Sequence, residues 1–284
     1  MCASVRYKPH ETAEIGIFGG TGNYDPSYLQ DVKQFKVYTP YGPPSDLVSV
    51  GWVKDRKVAF MPRHGKHHTI PPYRVNYRAN VWAFKTLGVT RIISPAAVGS
   101  LQPEFIKPYE FVVVDQFFDR TTNRRSLSFY EGGVVGHVPF SDPVCPELRR
   151  IFLDSGRKVL PHVKIHPTPE EEAGGESFTY VTIEGPRFST RAESLFYKSL
   201  GFSVVGMTAV SEAYLAREAE ICFLSIALIT DTDVYGLMPV TAERVAKSMR
   251  ENVANVNKLI YETIPMIPRE RKCGCGTVLD VSLY

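Results

Sequence analysis

Residues 221–230 form an apolar run of ten residues without a single charge, and the run stops at Asp231-Thr232-Asp233. A stretch of that kind is satisfied as a buried strand. Residues 111–115 repeat the pattern in shorter form and read as a strand covered on both faces. Between such runs lie segments with apolar residues at helical spacing. Residues 76–87 place Val81, Trp82, Phe84 and Leu87 on that period, and Gly88 is set to end it. The same reasoning predicts a hairpin over 47–53 and 57–61, and strands over 91–98 and 180–184. It predicts helices over 147–160, 190–200, 211–220 and 241–263, with Thr241 as a cap. Alternating strands and helices, without repeats or low-complexity linkers, favour a layered α/β sandwich. Residues 164–177, with Glu170-Glu171-Glu172 and Gly174-Gly175, read instead as an exposed flexible loop.

The chain of 284 residues is 44% hydrophobic and 22% charged, enough to bury a sizeable core and too apolar for disorder. Its length suits one large α/β domain as well as two smaller ones. A formal charge of +3, with no Lys/Arg run, argues against a nucleic-acid partner. No apolar stretch is long enough to span a membrane, and residues 1–14 lack the apolar core of a signal peptide. The expected location is the cytoplasm. In that compartment buried, reduced thiols are the default for the five cysteines. Cys273-Gly274-Cys275-Gly276 reads either as a local disulfide or as half a metal site whose partners lie elsewhere. No second Cys/His cluster of zinc spacing exists to complete it.

Strand ends in open α/β sheets are where ligands bind, and five of them carry distinctive chemistry. Gly19-Gly20-Thr21-Gly22 follows an apolar strand. It is either a tight turn or a cradle of N–H groups for an anion, with the Thr21 hydroxyl as a further donor. It matches neither a Walker loop nor the dinucleotide fingerprint. Pro62-Arg63-His64-Gly65-Lys66-His67-His68 offers a planar fork for phosphate oxygens and an imidazole beside it, or else a solvated basic turn. Adjacent histidines on extended chain point to opposite faces, which favours phosphate over metal.

Glu184-Gly185-Pro186-Arg187-Phe188-Ser189 suggests an ion pair between Glu184 and Arg187, with Phe188 stacked on a ligand or packed in the core. Thr208 sits before a helix and reads as its cap or as a phosphate ligand, with Glu212 in the same first turn or accepting hydrogen bonds from a ligand. Asp231 and Asp233, at i and i+2, share a face of an extended strand. Burial would let one serve as a proton donor; the other readings are a cation site and a solvated turn.

Seven motifs in order carry a family resemblance: Gly19-Gly20-Thr21-Gly22, the Arg63-His64 run, Ala97-Val98-Gly99-Ser100-Leu101, Asp115-Gln116-Phe117-Phe118-Asp119-Arg120-Thr121-Thr122, Thr182-Ile183-Glu184-Gly185-Pro186-Arg187-Phe188-Ser189, Met207-Thr208 and Thr230-Asp231-Thr232-Asp233. Together they resemble the trimeric purine nucleoside phosphorylases, on the branch that acts on 5'-methylthioadenosine. The resemblance spans residues 15–265. It implies one domain over 1–284, with a C-terminal extension over 266–284. The implied architecture is three α/β/α layers on a mixed, partly barrel-like sheet. It also implies a homotrimer or a hexamer built from two trimers.

The implied reaction is phosphorolysis of 5'-deoxy-5'-methylthioadenosine to adenine and 5-methylthioribose 1-phosphate. Phosphate is a co-substrate, and no cofactor or metal is required. By the same resemblance Thr21, Arg63, His64, the Ala96–Ala97 backbone and Thr208 hold phosphate. Met207 lies under the ribose, and Phe188 and Ser189 pack beside the nucleoside. Asp231 serves purine N7 and Asp233 accepts from the 6-amino group. Ala242 and Val245 line the methylthio pocket, and His137 is supplied by a neighbouring subunit. Family members selecting 6-oxopurines carry Asn where this chain has Asp231, which favours adenine. Gly206 and Ala96 instead match the branch acting on inosine, guanosine or adenosine, the alternative specificity. A nucleosidase using water and a non-catalytic purine sensor are the further rivals. Cys145 and Cys222 stand where thermophilic relatives form a disulfide.

Overall fold

The computed structural model describes residues 11–24, 26–122, 125–236 and 240–283. The apolar runs become strands and the 3.6-period segments become helices. The chain begins with β1 (Ile15–Gly19), β2 (Gln30–Phe35), β3 (Val48–Val53) and β4 (Arg56–Pro62), followed by α1 (Tyr77–Thr86) and β5 (Arg91–Ser100). Next come β6 (Phe111–Val113), β7 (Gln116–Arg120), α2 (Pro146–Val159), β8 (Ile165–His166) and α3 (Pro169–Ala173). The remainder is β9 (Thr179–Ile183), α4 (Arg191–Ser199), β10 (Val204–Gly206), α5 (Ala209–Glu218), β11 (Cys222–Asp231) and α6 (Ala242–Thr263).

The strands join one mixed sheet in the order β2-β3-β4-β1-β5-β10-β9-β7. β11 pairs with the other edge of β5 and carries β6 and β8 beyond it. β1, β4, β5 and β11 run parallel, whereas β10 meets the end of β5 antiparallel. The long strand β5 therefore serves two neighbours on one edge, β1 at its start and β10 at its end. This curls the sheet without closing it.

Alternation along the strands divides the core. Ile15, Ile17, Ile93, Leu224, Ile226 and Leu228 face α2 and α6, where Leu148, Phe152, Val256 and Leu259 cover them. Phe18, Ile92 and Phe223 face the opposite side, against Phe84 of α1 and Ala213 and Leu215 of α5. The period of two thus feeds two helical layers from one sheet. All ten residues of β11 are buried, as its sequence demands. The C-terminal ends of β1, β4, β5, β9, β10 and β11 open on a common side.

Residues 164–177 depart from the expected flexible loop. Ile165 and His166 pair with β6, and α3 follows with a complete capping box between Thr168 and Glu171. His166 is fully buried, its Nε2 3.0 Å from Glu110 Oε2 and its Nδ1 2.9 Å from Glu171 Oε2. The capping glutamate doubles as a histidine partner, so the acidic run that suggested exposure is partly used inside. No helix among the described residues is long and apolar enough to cross a membrane.

Candidate active site

The strand ends enclose a cavity of about 420 Å³. Thr21, Arg63, His64, Ala96, Ala97, Phe188, Ser189, Met207, Thr208, Asp231, Asp233, Ala242 and Val245 all line it. These residues come from seven separate stretches of chain, and only the fold brings them together.

One end is built around Arg63, which follows β4 and is 1% exposed. Its Nε donates to Glu212 Oε1, and Nη2 donates to Glu212 Oε2 at 3.1 Å and to Ser94 Oγ at 2.7 Å. Burial opposes the charge on Arg63, but the Glu212 carboxylate outweighs it and holds the guanidinium's pKa above its usual value. Glu212 is wholly buried and accepts a further hydrogen bond from Ser94 Oγ at 2.5 Å. Its carboxylate therefore orients Arg63. The glycine turn fits against this pair: a Cβ on Gly20 would lie 2.8 Å from Pro95 O and 3.2 Å from Arg63 Nη1. Such crowding requires glycine there.

His64 Nδ1 lies 2.8 Å from Ile70 O and donates to it. Burial, then the neighbouring Arg63 charge, lowers its pKa to about 3. The ring is therefore neutral at ordinary pH, and with Nδ1–H committed its free Nε2 carries a lone pair. Such a ring is suited to accept a proton from a ligand rather than to offer one. Thr208 stands at the N-cap position of α5 but makes no side-chain cap hydrogen bond. The expected cap is supplied in part by Thr182, whose Oγ1 accepts from Val210 N–H at 3.3 Å. Thr208 itself lines the cavity.

The other end holds two carboxylates. Asp231 Oδ1 accepts the Asp233 N–H at 2.8 Å, and Oδ2 accepts from Thr230 Oγ1 at 2.7 Å. Asp233 Oδ1 accepts from Ser189 Oγ at 3.4 Å. Asp233 Oδ2 is buried without a well-formed hydrogen bond among the described residues. Burial is the largest influence on both groups and raises both pKa values, against the donors around them. The two do not share an extended strand. β11 ends at Asp231, and Asp233 opens a short 3₁₀ turn with φ at +46°. The turn, not the pleat, brings both side chains inward. Gly99 of β5 makes room, since a Cβ there would stand 3.1 Å from Asp231 Oδ1 and 3.2 Å from Asp233 Cβ.

Between these ends lie the apolar walls. Phe188 is 42% exposed, so it is not a core residue; its ring borders the opening. Met207 packs over Gly185, and Val240, Ala242 and Val245 form a further apolar face.

A family model for the phosphorylase superfamily matches residues 14–265. The chain belongs to this superfamily. Similarity to individual members of the superfamily is close. An S-methyl-5'-thioadenosine phosphorylase of Thermofilum pendens is 52% identical over 273 residues, covering 96% of this chain and 99% of that protein. A crystal structure of methylthioadenosine phosphorylase from an antarctic soil metagenomic library superposes with a TM-score of 0.87 at 38% identity, covering 96% of this chain and 93% of its own. The Schistosoma mansoni methylthioadenosine phosphorylase in complex with adenine gives 0.83 at 37% identity, covering 92% and 93%.

Within this phosphorylase fold, two sequence expectations are overturned. Glu184 does not pair with Arg187. It receives Arg125 Nε at 2.9 Å and the Thr122 hydroxyl at 2.6 Å, while Arg187 forms a two-pronged pair with Glu193 of α4 at 2.7 and 2.8 Å. Each carboxylate took a guanidinium from elsewhere in the fold. Arg125 also binds Glu184 O at 2.8 Å and Ser211 Oγ at 2.9 Å, which makes it a structural bolt behind the site. Nor is Glu212 an acceptor for a ligand: it is wholly buried and accepts from Arg63 and Ser94 instead. Its only sequence signal is that a buried arginine needs a carboxylate.

His137 lies away from the cavity of its own chain. Its N–H donates to Ser282 O at 2.8 Å, and Gly136 bridges to Leu283. Cys145, Cys222, Cys273 and Cys275 are free thiols, so neither candidate disulfide pair is bonded; Cys2 lies outside the described residues.

Proposed function

We infer that the protein catalyses the reversible phosphorolysis of 5'-deoxy-5'-methylthioadenosine to adenine and 5-methylthioribose 1-phosphate. The observation that carries this reading is one cavity with an anion-binding end and, across apolar walls, a pair of desolvated carboxylates. Its relatives' names point to the same substrate.

Phosphate sits among Arg63, Thr21, Thr208 and the Ala96–Ala97 backbone. Arg63 and the N-terminus of α5 favour the dianion. His64 Nε2 accepts a proton from a phosphate hydroxyl, or takes one up as the anion binds. As the glycosidic bond lengthens, the sugar gains oxocarbenium character, and the bound phosphate stabilises it and then bonds to the anomeric carbon. The electron pair of the broken bond leaves on adenine. Asp231, whose pKa burial raises, relieves that charge at N7 by donation from its protonated form or by a strong hydrogen bond. Asp233 accepts from the 6-amino group with its unpaired Oδ2. A 6-oxo group would instead meet that carboxylate as a second acceptor. Met207 supports the ribose, Phe188 and Ser189 border the nucleoside, and Ala242 and Val245 receive the methylthio group.

The chemistry requires no cofactor, because phosphate itself is the nucleophile. A homotrimer or a pair of trimers in the cytoplasm, with a neighbour's His137 near the 5'-substituent, completes the reading. Rates on methylthioadenosine, adenosine and inosine, each with and without phosphate, test it. Phosphate-dependent turnover with methylthioadenosine preferred is expected. A preference for inosine would transfer the protein to the 6-oxopurine branch, and absence of turnover would favour a sensor.

A further inference from the structure

The reaction uses none of the cysteines, yet four of them converge. Cys145 precedes α2, Cys222 opens β11, and Cys273 and Cys275 flank Gly274 in the segment after α6. Their Sγ atoms all lie within 4.8 Å of one another, and Cys222 Sγ is 3.3 Å from Cys273 Sγ. Three of the four residues are buried. A tetrahedral zinc ion with Zn–S bonds of about 2.3 Å would set its sulfurs about 3.8 Å apart. Two disulfides, Cys145–Cys222 and Cys273–Cys275, would also use four sulfurs, but all four are free thiols and the 3.3 Å contact crosses between those pairs. The ligand spacing is unusual because the fold, not the sequence, supplies half of the set.

The surroundings suit an anionic metal–thiolate centre. Arg217 Nη1 lies 3.9 Å from Cys275 Sγ. Cys145 stands at the N-cap of α2, where the helix dipole favours negative charge. No carboxylate or histidine belongs to the cluster among the described residues. All-sulfur ligation selects a soft or borderline ion over magnesium or calcium.

We propose that Cys145, Cys222, Cys273 and Cys275 form a tetrathiolate site for a divalent cation of the zinc class. The ion pins the C-terminal segment to α2 and β11. It acts structurally, since the cluster lies at the start of β11 and Asp231 at its far end, about 30 Å away along a strand. The pinned segment is also the one that backs residues 136 and 137.

The test uses the full chain, purified under reducing conditions, loaded with zinc or cobalt and desalted. About one metal ion per chain is expected. The cobalt form should show intense thiolate-to-metal charge transfer and tetrahedral visible bands. Cys273→Ser/Cys275→Ser should retain no metal, while Cys2→Ser retains it. If that double variant fails to fold, alkylation of the native protein decides: zinc should shield four thiols, and a chelator should expose them. The proposal is overturned if the reduced chain retains no metal. It is equally overturned if the double variant binds as much as the parent, or if cobalt gives no thiolate band.

Discussion

At one end of the cavity a guanidinium is buried together with the carboxylate that balances it. At the other, Asp231 and Asp233 are buried with hydroxyl and backbone donors, and burial remains the dominant influence on their pKa values. The difference matches the two tasks. In the proposed mechanism the phosphate end must keep a fixed positive charge in a dry site, and Glu212 and Ser94 hold Arg63 in place there. In the same mechanism the purine end must hold a proton until the leaving base needs it, and burial raises the pKa of Asp231 there.

The comparison can be broken most severely at Arg63. Arg63→Ala should raise the KM for phosphate and cut kcat/KM by about a thousandfold. It should also destabilise the fold by roughly 3–5 kcal/mol, because Glu212 is left buried and unbalanced. Phosphate titrations and thermal melts read the two effects separately. A variant that lost activity with an unchanged melting temperature would show that Glu212 does not depend on Arg63.

Asp231→Asn comes next. It keeps the shape of the purine end but removes the donor, so kcat should fall by about a hundredfold or more while the KM for phosphate changes little. An equal loss in phosphate affinity would mean that the two ends are not separate. The pH profile sharpens the same point. In the proposed mechanism the protonated form of Asp231 is the donor, and its pKa is raised, so kcat/KM should decline as pH rises through that value. The Asn variant should lack this limb. His64, held at about 3, should contribute none near neutrality.

Glu212→Gln preserves volume while weakening the hold on Arg63, and should cost about 2 kcal/mol of stability with a higher phosphate KM. The smallest effect belongs to Gly99→Ala. Its Cβ would press on Asp231 and Asp233 at 3.1 and 3.2 Å. An expected cost of about 1 kcal/mol should appear in the KM for the nucleoside rather than for phosphate.

Much of this site was legible before folding, because strand ends announce themselves. The Gly-Gly-Thr-Gly turn, Arg63-His64, Met207-Thr208 and Asp231-Thr232-Asp233 are each local motifs at the end of an apolar run. The partners were not legible. Glu212 is 149 residues from Arg63, and Glu184 is 59 from Arg125. Nearby opposite charges, such as Glu184 and Arg187, made a more obvious pair that the fold did not use. The cysteine cluster was hidden for the same reason, as its ligands come from three distant segments. Residues 164–177 misled because a capping box is polar in composition yet ordered in structure, and because its glutamate turns inward to His166.

The central claim is that the anion end holds the nucleophile. The sugar product of methylthioadenosine cleavage, followed by phosphorus NMR alongside adenine release, tests it most directly. The account predicts one sugar 1-phosphate for each adenine and no adenine when phosphate is withheld. Free methylthioribose formed at the same rate without phosphate would contradict it.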